Sequence, residues 1–165
     1  MCEEYRRAVD TLFEFGSDTV IPNGRPEHAA ILLGTIFKYA KKYVYLFCQN
    51  LRSDVFDNPF LFNQISRAHD RNVSIRILIG GESIESGEMR RFLDNNRSVS
   101  IQRFTGTLNP ASHFAVADDC AFRMESSHEN TQAVGCANRP NIATQLRDLF
   151  FEMEKQSVGL QAVGE

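Results

Sequence analysis

The sequence predicts an α/β fold, a mixed, largely parallel β-sheet covered by helices on both faces, and three observations carry that prediction. Two short runs, Tyr43-Val44-Tyr45-Leu46-Phe47-Cys48 and Val73-Ser74-Ile75-Arg76-Ile77-Leu78-Ile79, are rich in β-formers and nearly continuous in apolar character, as strands covered on both faces are. Between them lies a helical pattern, so the unit reads as strand, helix, strand with a right-handed crossover and parallel pairing. From His113 onward the alternation stops, and three short extended segments in succession read as an antiparallel meander.

The remaining elements follow in order. Tyr5, Val9, Leu12 and Phe13 fall at helical spacing and Gly16 supplies a stop, so the chain opens on an amphipathic helix ending near Phe15. A short strand, Thr19-Val20-Ile21, precedes the loop Pro22-Asn23-Gly24-Arg25-Pro26. Pro26 opens a helix to about Lys42, because its missing donor is not needed in a first turn. Ala29, Leu32, Leu33, Ile36, Phe37 and Ala40 form its apolar stripe, and Lys38, Lys41 and Lys42 lie near the negative end of its dipole. A helix from about Pro59 to Arg71 carries Phe62, Ile65 and Ala68 into the second apolar run, which Gly80-Gly81 closes.

Gly87 to Asn95 is a further helix, and Val99 to Phe104 alternates like a more exposed strand. The meander comprises His113 to Asp118, Ala121 to Glu125 and Thr131 to Ala137. The last helix starts near Pro140 with Ile142, Leu146, Leu149, Phe150 and Met153 on one face. Residues 1–156 read as a single domain, and 157–165 as a frayed tail.

Composition narrows the function classes. A chain of 165 residues with 42% hydrophobic content and 13 Phe is long enough for one substantial core. Its net charge of -3 provides no general cationic field, so a phosphate-bearing partner has to be held by a local patch. Cys2, Cys48, Cys120 and Cys136 are scattered without a Cys-x-x-Cys pair, which argues against a zinc ribbon or a disulfide scaffold. No set of His, Cys, Asp and Glu has metal-ligand spacing, so neither metal nor cofactor is expected. The charged start Met1-Cys2-Glu3-Glu4-Tyr5-Arg6-Arg7 is unlike a signal peptide, and no apolar run reaches the ~18 residues of a membrane span. The expected location is cytoplasmic.

The order of elements resembles a single phospholipase D-like domain over most of the chain. The resemblance rests on the opening helix and strand, the crossover ending in Ser74-Ile75-Arg76-Ile77-Leu78-Ile79-Gly80, the strand beginning at His113, and Gly135-Cys136-Ala137-Asn138, which is similar to the family's Gly-Ser-x-Asn element. The family signature is His-x-Lys, then four residues, then Asp. In the family, histidines from two motifs meet in one site, one attacking phosphorus to form a phosphohistidine and the other protonating the leaving oxygen. Lysine and asparagine hold the phosphate oxygens. For a single-domain chain the resemblance implies a symmetric homodimer with both motifs at the twofold, or pairing with a complete subunit.

Here the motif is degenerate in either of two registers. With His113 as the family histidine, Ala115 stands at the lysine position and Cys120 at the aspartate position; with Asp118 as the family aspartate, His113 takes the lysine position and Ala111 the nucleophile's. The candidate catalytic residues are His113 and Asp118, and the candidate phosphate ligands are Arg123, then Arg103, and Asn138. Each has a structural alternative: a hydrogen-bonded strand-start histidine, an ion pair of Arg123 with Glu125 or Asp118, and a helix cap by Asn138 ahead of Arg139-Pro140. Ser126-Ser127-His128-Glu129-Asn130 reads as a turn or small insertion, in which His128 and Glu129 are a solvated pair or an acid-base pair. Gly24-Arg25 leads to a helix amino terminus, where backbone donors suit an anion. His28 and His69 read as surface residues.

These readings make the first expectation a catalytically weakened or inactive phospholipase D-like domain with a phosphodiester-binding, nucleotide-binding, regulatory or protein-interaction role. The second is an active homodimeric, metal-independent phosphodiesterase or nuclease using His113 as nucleophile. The third is a structural dimerisation module.

Overall fold

The computed structural model describes residues 2–107, 113–125 and 132–160. Its helices are α1 (Cys2–Glu14), α2 (Pro26–Tyr39), α3 (Ser53–Phe56), α4 (Pro59–Asp70), α5 (Gly87–Asn95) and α6 (Pro140–Glu154). Its strands are β1 (Ile21–Asn23), β2 (Tyr43–Cys48), β3 (Ser74–Ile79), β4 (Ser100–Phe104), β5 (Phe114–Ala117), β6 (Ala121–Glu125), β7 (Ala133–Cys136) and β8 (Ser157–Gly159). The strands form one sheet in the order β1-β7-β6-β5-β2-β3-β4-β8.

The sheet is mixed but mostly antiparallel, which corrects the expectation of a largely parallel one. Only β2 with β3 and β3 with β4 pair in parallel. Parallel neighbours need a crossover, and among the described strands only β2–β3, through α3 and α4, and β3–β4, through α5, are sheet neighbours joined by helices; α2 and α6 link strands that are not adjacent in the sheet. The meander, both edge strands and the seam between β2 and β5 are antiparallel.

Strand alternation divides the core into two layers. Val44, Leu46, Ile75, Ile77, Ile79, Ala115 and Ala117 pack with α1, α2, α4 and α5. Tyr45, Phe47, Leu78, Phe114, Val116 and Phe122 face the opposite way and pack with Ala143, Leu146, Phe150 and Met153 of α6. Each Val, Leu, Ile, Phe or Met among them contributes about 1.5–3 kcal/mol when fully buried. The same alternation puts Arg123 and Glu125 on the α2 face.

Local differences from the sequence pattern have physical causes. β1 covers Ile21–Asn23 rather than residues 19–21, and its Pro22 is tolerated because β1 is an edge strand. α2 ends at Tyr39, where Ala40 turns extended and Arg71 Nη2 donates to the carbonyls of Phe37, Lys38 and Ala40, occupying acceptors that a helix end leaves open. The cap position of α6 is Arg139 with no side-chain cap bond, so the Asn138 cap does not form. β8 pairs with β4 over Ser157–Gly159, where the sequence predicts only a frayed tail; residues 161–165 lie outside the described residues. No described helix is long and apolar enough to cross a membrane.

The β5–β6 turn carries Asp118 and Asp119 at φ 55° and 59°, a left-handed conformation that aspartate tolerates better than most side chains. Its position is fixed by Asp118, whose carboxylate accepts backbone N–H bonds from Lys41 at 2.7 Å, Lys42 at 2.8 Å and Tyr43 at 3.0 Å. The hairpin is thereby tied to the start of β2.

Candidate functional site

At the other end of β5 and β6, the sheet, the amino end of α2 and the short α3 enclose a pocket whose empty space, open mouth included, is about 590 Å3. His113 immediately precedes β5 and sits opposite the last residue of β6, since Glu125 N–H donates to the His113 carbonyl at 3.0 Å. Within β6, Arg123 pairs across from Ala115. His113, Arg123 and Glu125 therefore converge on the pocket from two adjacent strands.

Glu125 joins the other two. One carboxylate oxygen lies 3.3 Å from His113 Nδ1 and the other 3.7 Å from Arg123 Nη2. Arg123 is only 6% exposed. Its Nε donates to Asn23 Oδ1 at 2.8 Å, and Asn23 Nδ2 in turn donates to the Arg25 carbonyl at 3.2 Å, linking the pocket floor to the start of α2. Burial pulls the Arg123 guanidinium below its ordinary range, chiefly opposed by Glu125; guanidinium basicity keeps it a cation. Burial also pushes the Cys48 thiol up to about 12, so this lining residue is not a thiolate nucleophile.

The rim carries exposed Arg25 and Arg52. Arg25 Nη2 lies 2.9 Å from His28 Nε2, whose ring stacks on Tyr5 with centroids 3.9 Å apart. Arg52 pairs with Asp54. Pro26, the first residue of α2, also lines the pocket, and no side chain caps that helix end, so its positive dipole end lies at the rim. Ala29, Leu33, Val55 and Phe56 supply an apolar wall.

The structure brings together His113 and Arg123 but not the other three candidate residues. Asp118 lies at the opposite end of β5, its carboxylate engaged by the three backbone donors named above. Asn138 follows β7 at that same far end, because Cys136 pairs with Phe122 while Ala133 pairs with Glu125. Arg103 is on β4, 3.9 Å from Glu82, and does not line the pocket. Ala111, His128 and Glu129 lie outside the described residues. Asn23 and Arg52 were not legible as site residues. The usable signal is position: the loop after β2 belongs to the carboxyl ends of the parallel strands, where α/β sheets bind ligands. Among the described residues, no group of three or more His, Cys, Asp or Glu is placed to hold a metal ion.

No family model and no curated protein matches the sequence. Solved structures do. Nuc from Salmonella typhimurium, a phospholipase D family member, superposes with a TM-score of 0.63 at 18% identity over 86% of this chain and 97% of that one. NucT from Helicobacter pylori gives 0.60 at 13% identity, with the same coverage of 86% and 97%. TrmBL2, an archaeal chromatin protein with a novel mode of DNA binding, gives 0.62 at 12% identity over 95% of this chain. The chain spans 63% of that protein's length. Identities this low speak to architecture alone, and the architecture they establish for this chain is a phospholipase D-like fold.

Proposed function

We propose that the chain is a phospholipase D-like domain that holds a phosphodiester or nucleotide in the His113 pocket and acts by binding, in a regulatory or interaction role, rather than by the family's covalent route. The observation that carries this reading is the His113–Glu125–Arg123 floor beneath exposed Arg25 and Arg52. It is a local cationic site in a chain of net charge -3. Such a site attracts phosphate through short-range contacts, without a cationic field over the whole surface.

The engagement of Asp118 with backbone donors favours the register in which it is the family aspartate. His113 then stands at the lysine position and Ala111 at the nucleophile's. Loss of the nucleophile removes the covalent route, whereas His113 and Arg123 remain as phosphate-binding groups. In this reading the chain works as a homodimer, with two such half-sites related by a twofold axis.

The test is titration of the full chain with a nucleotide and a dinucleotide by calorimetry, beside a turnover assay on a chromogenic phosphodiester. Binding without turnover, weakened at least tenfold by Arg123→Met, is the expected result. Metal-independent turnover abolished by His113→Ala supports the active reading instead.

One contact favours that second reading. A carboxylate 3.3 Å from His113 Nδ1 is placed to orient the imidazole and to stabilise its cation, which a nucleophile or general acid requires. Acid-quenched protein incubated with substrate yields a phosphohistidine at His113 if it holds, and none if the chain only binds.

A further inference from the structure

Arg123 is held more closely by a neutral group than by a carboxylate. Asn23 Oδ1 accepts from Arg123 Nε at 2.8 Å, whereas the nearer Glu125 oxygen stands 3.7 Å from Nη2, beyond hydrogen-bond range. A charge-assisted bond to a carboxylate is the stronger of the two kinds and closes to about 2.7–2.9 Å where geometry allows it. Tyr5 and Cys48 also act on the guanidinium, but burial raises both to about 12, so neither is an anion at neutral pH. A guanidinium has five N–H donors, of which the Nε donor is spent on Asn23. The Nη end is what Arg123 has left for the pocket it lines.

Strand register explains how so distant a partner is reached. Asn23 on β1 pairs with Ala133 on β7, which pairs with Glu125 on β6, while Arg123 on β6 pairs with Gly135. On the α2 face, the part of β7 that lies between Arg123 and Asn23 carries only Gly135 and Ala133, and the long side chain crosses over it to the edge strand. Asn23 is itself fixed, 3% exposed, with Nδ2 donating at 3.2 Å to the Arg25 carbonyl. That carbonyl also accepts the Ala29 N–H at 2.9 Å, the bond that opens α2. From α1, the Tyr5 hydroxyl donates to the Pro22 carbonyl at 3.0 Å and holds the same strand. Both ends of the Asn23 amide are therefore engaged, and its acceptor stays where Nε meets it.

We infer that Asn23 is the positioning residue of the pocket, a neutral acceptor that holds the Arg123 guanidinium by Nε so that its Nη end meets an anionic ligand group instead of closing on Glu125. The inference rests on the proposed binding function and names a residue through which Arg123 serves it. Two properties of Asn23 matter, the acceptor and the absence of charge. Without the acceptor, the guanidinium is drawn onto Glu125. With a carboxylate in its place, Arg123 faces two anions and the ligand is repelled.

The experiment is calorimetric titration of the full chain at neutral pH with adenosine monophosphate and with the dinucleotide ApA, using wild type, Asn23→Leu, Asn23→Asp, Arg123→Met and the double variant Asn23→Leu with Arg123→Met. Asn23→Leu and Asn23→Asp are each expected to weaken the probe that wild type binds by about tenfold or more. In the Arg123→Met background, Asn23→Leu should cost no further affinity, because its effect passes through the arginine. A structural tie alone predicts a further loss there, and that result overturns the inference. Wild-type affinity in Asn23→Asp overturns it as well, and decides the matter if the Leu variants do not fold. In both of these outcomes the binding function stands. Wild type that binds neither probe overturns the binding function and this inference together.

Discussion

The Glu125 carboxylate stands 3.3 Å from His113 Nδ1 with its second oxygen toward the buried Arg123 guanidinium, so one acid contacts both candidate residues at the pocket floor. Removing that acid is expected to cost more than removing one of its partners. Breaking a buried pair by deleting one partner costs about 3–5 kcal/mol in well-formed cases. The 3.7 Å separation to Arg123 puts Glu125→Gln at the lower end. Urea unfolding of Glu125→Gln should show a loss of about 3 kcal/mol, and the double variant with Arg123→Met a smaller loss than the two single ones summed. Strict additivity in that cycle contradicts a coupled floor.

Asp118 is expected to behave as a structural anchor. Its carboxylate satisfies three backbone N–H groups that open β2, and charged acceptors of this kind contribute about 1.5–3 kcal/mol. Asp118→Ala also places a Cβ residue without a compensating side chain at φ 55°. Thermal denaturation should fall by about 5–10 °C for a loss of 2–3 kcal/mol in a chain of this size. Nucleotide affinity of the folded variant should stay within about twofold of wild type, because Asp118 is at the far end of the strand from the pocket; a tenfold loss would contradict that separation.

The turn also responds to pH through Asp119. The Tyr43 hydroxyl donates to its carboxylate and, with Arg147 at 2.9 Å, holds it below the usual carboxylate range. A depressed folded pKa gives stability that is present above the unfolded value, near pH ~3.9, and is lost as pH falls through the folded one. The Tyr43→Phe variant should therefore show a shallower acid limb in a stability-versus-pH series. At the alkaline side the sign reverses: burial and Asp119 raise the Tyr43 pKa, so wild type loses stability above pH ~10, where the unfolded tyrosine ionises first. Tyr43→Phe should lack this contribution.

Gly135 tests the packing of α2 on the meander. A Cβ there meets Leu32 Cδ2 at 2.6 Å on one side and the Phe122 carbonyl oxygen at 3.1 Å on the other. The carbonyl belongs to a strand and cannot yield, so Gly135→Ala should destabilise by about 1–3 kcal/mol, read from denaturant midpoints. No change would mean that Leu32 repacks freely.

Much of the architecture was legible because it follows from short-range pattern. The apolar run at residues 43–48 marked a doubly covered strand, and Pro26, Pro59 and Pro140 marked helix starts that the structure places at those residues. The parallel β2–β3 pair and the antiparallel meander were legible, but the balance of the whole sheet was not, since an edge pairing such as β8 on β4 depends on a partner about 50 residues away and leaves no periodic trace in Ser157-Val158-Gly159. The closeness of His113 and Arg123 on neighbouring strands was legible from a motif resemblance and strand alternation. Asn23 and Arg52 were hidden because their neighbours in the pocket come from distant segments. Glu125 was visible only as a partner for Arg123, and its second contact, to His113, depends on the register of β5 against β6.

The bond between Asp118 and the amide of Lys41, 77 residues earlier, bears on how the molecule assembles. The segment from β2 through β4 closes over short crossovers, whereas β5 can join β2 only after a long loop has been brought round, and such closures slow folding. An assembly intermediate holding the parallel strands but not the meander has the apolar wall of the pocket and lacks its floor. On the proposed binding function, a phosphate-bearing ligand would stabilise only chains in which the meander has docked on β2.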